Sequence, residues 1–153
     1  MIPFLLFALP AFAQEMPLVP EKNSALVTLL NDMRMLGERG TPPEDLGYIV
    51  RVIASGSEGE CDGTPQSCPT EYAYIAISEL GESPPMNLYR LPDSYGWTLD
   101  SWVDFPKGDP AINKFVVLRM TRQVIAKDPS KGWFVPEQFE IRVNAYSATM
   151  RKL

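Results

Sequence analysis

Prolines and glycines come in tight groups along this chain, and the spacing of those groups limits its fold more than any other feature. Gly81-Glu82-Ser83-Pro84-Pro85, Pro92-Asp93-Ser94-Tyr95-Gly96, Pro106-Lys107-Gly108-Asp109-Pro110 and Asp128-Pro129-Ser130-Lys131-Gly132 each read as a break or a turn. Proline fixes φ and glycine admits positive φ, which is what reversing a chain demands. The runs between them are β-branched and aromatic: Tyr48 to Ser55 (YIVRVIAS), Tyr72 to Ser78 (YAYIAIS), Asn87 to Leu91, Trp97 to Phe105 and Lys114 to Lys127. Such runs bounded by turn residues read as strands. Phe139, Ile141, Val143 and Ala145 alternate with Glu140, Arg142, Asn144 and Tyr146, the cleanest period of two in the chain.

One segment follows a different rhythm. Leu26, Leu29, Leu30, Met33 and Leu36 fall at helical spacing behind an N-cap at Asn23 or Ser24. Gly37 or Gly40 would end that helix, and Pro42-Pro43 forbids its continuation. Parallel strands need crossovers of a dozen residues or more, usually helical, and no second helix is on offer. The expected fold is therefore α+β and mostly β. It is an antiparallel meander sheet or small sandwich of about six strands, with one N-terminal amphipathic helix packed on it.

The N-terminus reads MIPFLLFALPAFAQE. An apolar run from Ile2 to Phe12 ends in the small-x-small pattern Ala11-Phe12-Ala13, the layout of a secretory signal peptide, although its n-region lacks Lys and Arg. The run is shorter than the about 20 apolar residues that span a bilayer. The expected organisation is a signal peptide at 1–13, a flexible lead at 14–21 and a single globular domain at 22–153. The expected location is periplasmic or secreted.

Export decides the reading of the two cysteines. In an oxidising compartment Cys61 and Cys68 are most simply a disulfide, closing a loop worth on the order of 2–3 kcal/mol. A redox centre wants C-x-x-C, and a zinc site wants four ligands in a chain that has no histidine. The acids at alternate positions, Glu58, Glu60 and Asp62, have the oxygen chemistry of a calcium loop but do not meet the twelve-residue EF-hand pattern. No metal or cofactor is expected.

The lack of histidine also removes the Ser-His-Asp and Cys-His sites and the commonest general base. Phosphate-binding glycine motifs are missing as well. Ser130-Lys131 is the one adjacent Ser-Lys pair, and neighbours in a turn seldom converge on one proton. Paired carboxylates leave a hydrolase formally open. The net charge is −5 and is unevenly spread: residues 14–104 hold 15 acids and 5 bases, whereas residues 105–153 hold 4 acids and 9 bases. Either strands from the two halves neutralise one another, or the surface is dipolar and steers partners. An acidic chain without a basic cluster is poorly suited to nucleic acid.

Two features remain as partner-binding candidates. Glu58, Glu60 and Asp62 lie in an acidic stretch that the disulfide would hold still, lowering the entropy lost on docking. Alternation along Trp97 to Phe105 puts Trp97, Leu99, Val103 and Phe105 on one face and Trp102 on the other, between Asp100 and Asp104. An indole on a polar face is a typical interface anchor; the competing reading is that a second layer covers it and Trp102 is core. The expectation is a small exported binding protein without catalysis, an inhibitor or immunity-type molecule engaging a protein with a basic site. The alternatives are a carrier of a small apolar ligand between helix and sheet, and a hydrolase using carboxylates alone.

Overall fold

The computed structural model describes residues 16–18, 33–41, 47–55, 60–80, 85–105, 109 and 114–153. They form nine strands: β1 (Met16–Leu18), β2 (Met33–Gly40), β3 (Tyr48–Ser55), β4 (Tyr72–Glu79), β5 (Met86–Arg90), β6 (Trp97–Val103), β7 (Val116–Ile125), β8 (Phe134–Val143) and β9 (Ala148–Lys152). Two antiparallel sheets result. The larger has the order β1-β9-β8-β7-β6, and the smaller has the order β2-β3-β4-β5.

Each sheet turns one face inward. From the smaller come Tyr48, Val50, Val52, Ala54, Ala73, Ile75, Ile77 and Tyr89; from the larger come Trp97, Val116, Leu118, Met120, Phe139, Ile141, Val143 and Met150. Residues paired across antiparallel strands share a face, so the registers Val50↔Ile77, Val52↔Ile75, Leu118↔Ile141 and Met120↔Phe139 build two facing apolar rows. The core between them is that of a sandwich.

Three sequence expectations need correction. The strands number nine among the described residues rather than about six, because β1, β2 and β9 are short or carry a mixed pattern. Met16–Leu18, expected within the flexible lead, is an edge strand that pairs with β9 and buries Leu18 in the core. Among the described residues there is no α-helix. Residues 23–32 of the expected helix lie outside the described residues, but its C-terminal part, Met33 to Gly40, is strand β2. The free edge of β3 supplies the reason. It offers hydrogen-bonding groups along its whole length, and β2 satisfies them from Met33↔Ser55 to Gly40↔Ile49. A β-bulge between Met35 and Gly37 gives the strand one extra residue, Leu36, which packs against the core.

Gly37 does not end a helix. A Cβ placed on it would clash with the Leu99 side chain, so a glycine lets β2 approach β6 closely and shut one side of the sandwich. Arg39 and Asp104 form an ion pair across the same seam. On the opposite side the Asn87 amide donates to the Ala145 carbonyl, which ties β5 to the turn between β8 and β9. The smaller sheet thus lies with β2 over β6 and β5 over the β8–β9 side.

Candidate functional site

The registers give the sandwich two distinguishable ends. Ser55, Tyr72, Trp97, Arg122 and Lys152 mark one, called here the upper end. There the connection between β3 and β4, the connection between β5 and β6 and the β7–β8 hairpin turn come together.

The first of these carries the disulfide, and Cys61 and Cys68 are joined as expected. The Cys68 side is buried and the Cys61 side is exposed. The intervening loop is also tied by hydrogen bonds. The Asp62 amide donates to Ser67 Oγ at 2.7 Å, and that hydroxyl donates to the Thr64 carbonyl at 2.8 Å. Pro65–Ser67 is a single 3₁₀ turn, and Gly63 sits at φ 71°, where a side chain would be strained. Glu60 and Asp62 project from this braced loop into solvent; Glu58 lies outside the described residues.

Immediately after the loop, Glu71 locks the two sheets together. Its carboxylate accepts from the Trp97 amide at 2.6 Å and from Arg34 at 3.1 Å. Its backbone forms a bridge with Ser94, and the Ser94 hydroxyl in turn donates to the carbonyls of Gly96 and Gln123. Strand β4, the β5–β6 connection and β7 are thereby fastened at one point. Trp97 fills the space below, wholly buried, with its indole N–H donating to the Pro92 carbonyl and its ring 6.0 Å from that of Phe139.

The β7–β8 hairpin runs past this lock. Its register continues to Ile125↔Phe134, beyond the last partners of β6 and β9. The turn is rigid: Asp128 Oδ1 accepts from the Ser130 amide at 3.0 Å, Pro129–Lys131 form a 3₁₀ turn, and Gly132 has φ 94°. Hydrogen bonding to Ser130 holds the Asp128 carboxyl below its usual range. Lys127, Lys131 and Trp133 are exposed at the tip, Trp133 at 46%. At the base, Glu137 accepts from Lys152 and from Arg122 at 2.7 Å. The Lys152 hydrogen bond, reinforced by Arg122 and opposed by partial burial, holds the Glu137 carboxyl below its usual range.

The second candidate group fares differently. A β-bulge between Leu99 and Ser101 inserts Asp100 into β6 and reverses the alternation after it. Leu99 pairs with Met120, and Trp102 pairs with Leu118; both partners are fully buried, so Leu99 and Trp102 share the inner face. Trp102 packs against the core near Gly37 and does not stand on the polar face between Asp100 and Asp104. Asp100 accepts from the Thr121 hydroxyl on the outer face, and Asp104 is engaged by Arg39. The structure therefore separates Asp100, Trp102 and Asp104 from Glu60 and Asp62 instead of joining them in one site.

Sequence reasoning passed over Glu71, Ser94, Trp133 and Lys127, and weighed Lys131 only as a neighbour of Ser130. The signal available for the tip was a tryptophan next to a turn glycine between two strand-forming runs. Nothing in the sequence marks the Glu71 lock, because its partners lie on other strands. Among the described residues no three His, Cys, Asp or Glu side chains are grouped to hold a metal ion.

Arg34–Glu71, Arg39–Asp104, Arg51–Glu38 and Arg90–Asp93 pair within the acidic half of the sequence. Arg122–Glu137, Arg142–Glu140, Arg151–Glu140 and Lys152–Glu137 pair within the basic half. Among the described residues, none of these eight pairs joins one half to the other. Comparison with protein-family models, with curated proteins and with solved structures returns no match to this chain.

Proposed function

We propose that this is an exported binding protein without catalysis, which engages a protein partner through the upper end of the sandwich. The observation that carries the reading is the stapled loop. A disulfide, a chain of hydrogen bonds and the Glu71 lock all brace a loop whose carboxylates, Glu60 and Asp62, are left in solvent. Bracing an exposed segment lowers the entropy lost when it docks, which is of use to recognition and of little use to a solvated linker. The disulfide fits an oxidising compartment, here the periplasm or the extracellular space. The partner would present a basic surface to the acidic loop, as an inhibitor or immunity-type protein requires of its target.

Placing a photocrosslinking residue at Glu60, and a control at Thr149 on the larger sheet, tests this directly. The expected result is one discrete adduct from Glu60 in the protein's own oxidising compartment, identified by mass spectrometry, and none from Thr149. Equal labelling at both positions sinks the proposal. With the partner in hand, converting Glu60 to Gln and Asp62 to Asn is expected to slow association and flatten its salt dependence. It should leave folding within about 1 kcal/mol of wild type, since exposed charges contribute little.

A further inference from the structure

Two braced projections of opposite sign stand at the upper end. The first is the stapled loop. The Cα atoms of Cys61 and Cys68 are 4.1 Å apart, so the residues between them stand out as a knob. Asp62, Thr64, Gln66 and Ser67 are exposed on it, with Glu60 beside them. Residues 60–70 contain no Lys or Arg. Among the described residues, neither Glu60 nor Asp62 takes part in an ion pair.

The second projection is the β7–β8 hairpin. Val124 pairs with Val135 and the Ala126 amide donates to the Trp133 carbonyl, so these four residues share one face. A hollow of about 290 Å³ opens at this end of the hairpin, with Val124, Ala126 and Val135 in its lining and Lys127 and Lys131 beside the turn. Two acids line it as well, and both are engaged. Asp128 accepts from the Ser130 amide at 3.0 Å, and Glu137 accepts from Arg122 and Lys152. Lys127 and Lys131 enter no ion pair among the described residues. With Arg122 and Lys152 included, four cations stand there against two carboxylates. The hollow is partly apolar, carries a surplus of positive charge and has the exposed Trp133 next to it.

We infer that this hollow receives the stapled knob of a second copy, in a pair related by a two-fold axis. The inference rests on the reading that Glu60 and Asp62 form a recognition surface, and it names the basic partner of that surface. Charge complementarity carries it: the knob brings two unpaired carboxylates, and the hollow offers two unpaired ammonium groups. The chain does not satisfy itself, because no residue of the loop lines its own hollow. Both projections are rooted on one lock, through the Glu71–Ser94 bridge and the Ser94 hydroxyl donating to the Gln123 carbonyl. With knob and hollow on the same end, a two-fold axis fits each knob to the other copy's hollow at once and closes the pair. Knob and hollow on opposite ends would build an open chain instead. Trp133 supplies the large amphipathic side chain that anchors such contacts.

Sedimentation of the purified, oxidised, full-length protein tests the pairing with no other component present. A concentration-dependent dimer is expected at low salt, weaker by about tenfold or more at high salt, where screening is strong. Two variants reverse the charges: Glu60→Lys with Asp62→Lys, and Lys127→Glu with Lys131→Glu. All four positions are exposed, and thermal unfolding checks that each variant is folded. Each variant alone is expected to stay monomeric. Their equimolar mixture is expected to regain the dimer, because each knob then meets a hollow of opposite sign. A parent that is monomeric at low salt, a variant that dimerises as well as the parent, or a mixture of folded variants that stays monomeric overturns the inference. Where a reversal unfolds the protein, Glu60→Gln with Asp62→Asn replaces it, and an undiminished dimer is equally fatal. The crosslinker at Glu60 keeps the two readings apart. In the purified protein its adduct is expected to map to residues 127–133 of a second copy. A monomeric parent that crosslinks to one different protein in its own compartment overturns the inference and leaves the proposed function standing; no adduct of either kind sinks both.

Discussion

The two sheets of this protein solve the same problem with opposite means. The larger is built from the basic half of the sequence plus β6 and β1. Its outer face is polar, with Glu140 held between Arg142 and Arg151 and Asp100 held by Thr121. The smaller comes from the acidic half, with Ile75 and Ile77 inward and, on its outer face, Tyr74 and Ala76 beside the Arg51–Glu38 ion pair. An antiparallel sheet with one solvated face needs only one partner layer. The comparison teaches that each sheet buries one face against the other, and that the upper end, where loops from both sheets are locked together, is the place where the two are fastened.

Removing the side chain that joins the sheets should have the largest effect. Trp97→Ala is expected to cost about 3–5 kcal/mol, because the indole is wholly buried near the upper end, beside the Phe139 ring and hydrogen-bonded to the Pro92 carbonyl. Trp102→Ala, half-buried at the β2–β6 seam, should cost about 1–3 kcal/mol. Thermal unfolding of the two variants ranks them; a Trp102 variant as unstable as the Trp97 variant would mean that the seam, not the upper end, holds the sheets together.

Within the smaller sheet, replacing Cys61 and Cys68 by Ala is expected to cost about 2–3 kcal/mol, less where the Ser67 and Thr64 hydrogen bonds keep the loop in shape. Denaturant unfolding under oxidising conditions measures it. The comparison sharpens if the loss is confined to the loop, seen as faster amide exchange at Asp62 and Cys68 with the β7–β8 hairpin unchanged.

Glu71→Ala takes away the carboxylate that both sheets share. It leaves the Trp97 amide and Arg34 without their acceptor and is expected to cost about 1–3 kcal/mol. The same denaturant titration reads it, and Glu71→Gln should recover part of the loss, since an amide oxygen still accepts from the Trp97 amide.

The smallest effect belongs to the larger sheet and depends on pH. The folded protein holds the Glu137 carboxyl below its ordinary value of 4.5. Its stabilising contribution is therefore complete above that range and is lost as pH falls through the lower folded value. Stability measured from neutral pH into acid should decline less steeply in Glu137→Gln than in the parent. Identical slopes would show that the Lys152 and Arg122 contacts contribute nothing in solution.

The sequence by itself determined the local units. Strand β3 matches YIVRVIAS residue for residue, β6 and β7 fall within the expected runs, β4 and β5 overstep theirs by one residue, and β8 begins at Phe134, ahead of the expected Phe139; β-branched alternation and Pro-Gly turns act over a few residues and are written in order along the chain. The Cys61–Cys68 disulfide was equally legible, since short spacing and an oxidising compartment leave little choice. Long-range pairing was not legible. Met33 to Gly40 has helical spacing in sequence, yet the free edge of β3 draws it into a strand. Trp102 has the parity of a surface residue, yet one bulged position, Asp100, turns it inward. Glu71 looks like any exposed acid until folding brings the Trp97 amide and Arg34 to it from other strands. In each case the deciding partner is remote in sequence, and a strand's register, unlike its propensity, is fixed only by the neighbour it bonds to.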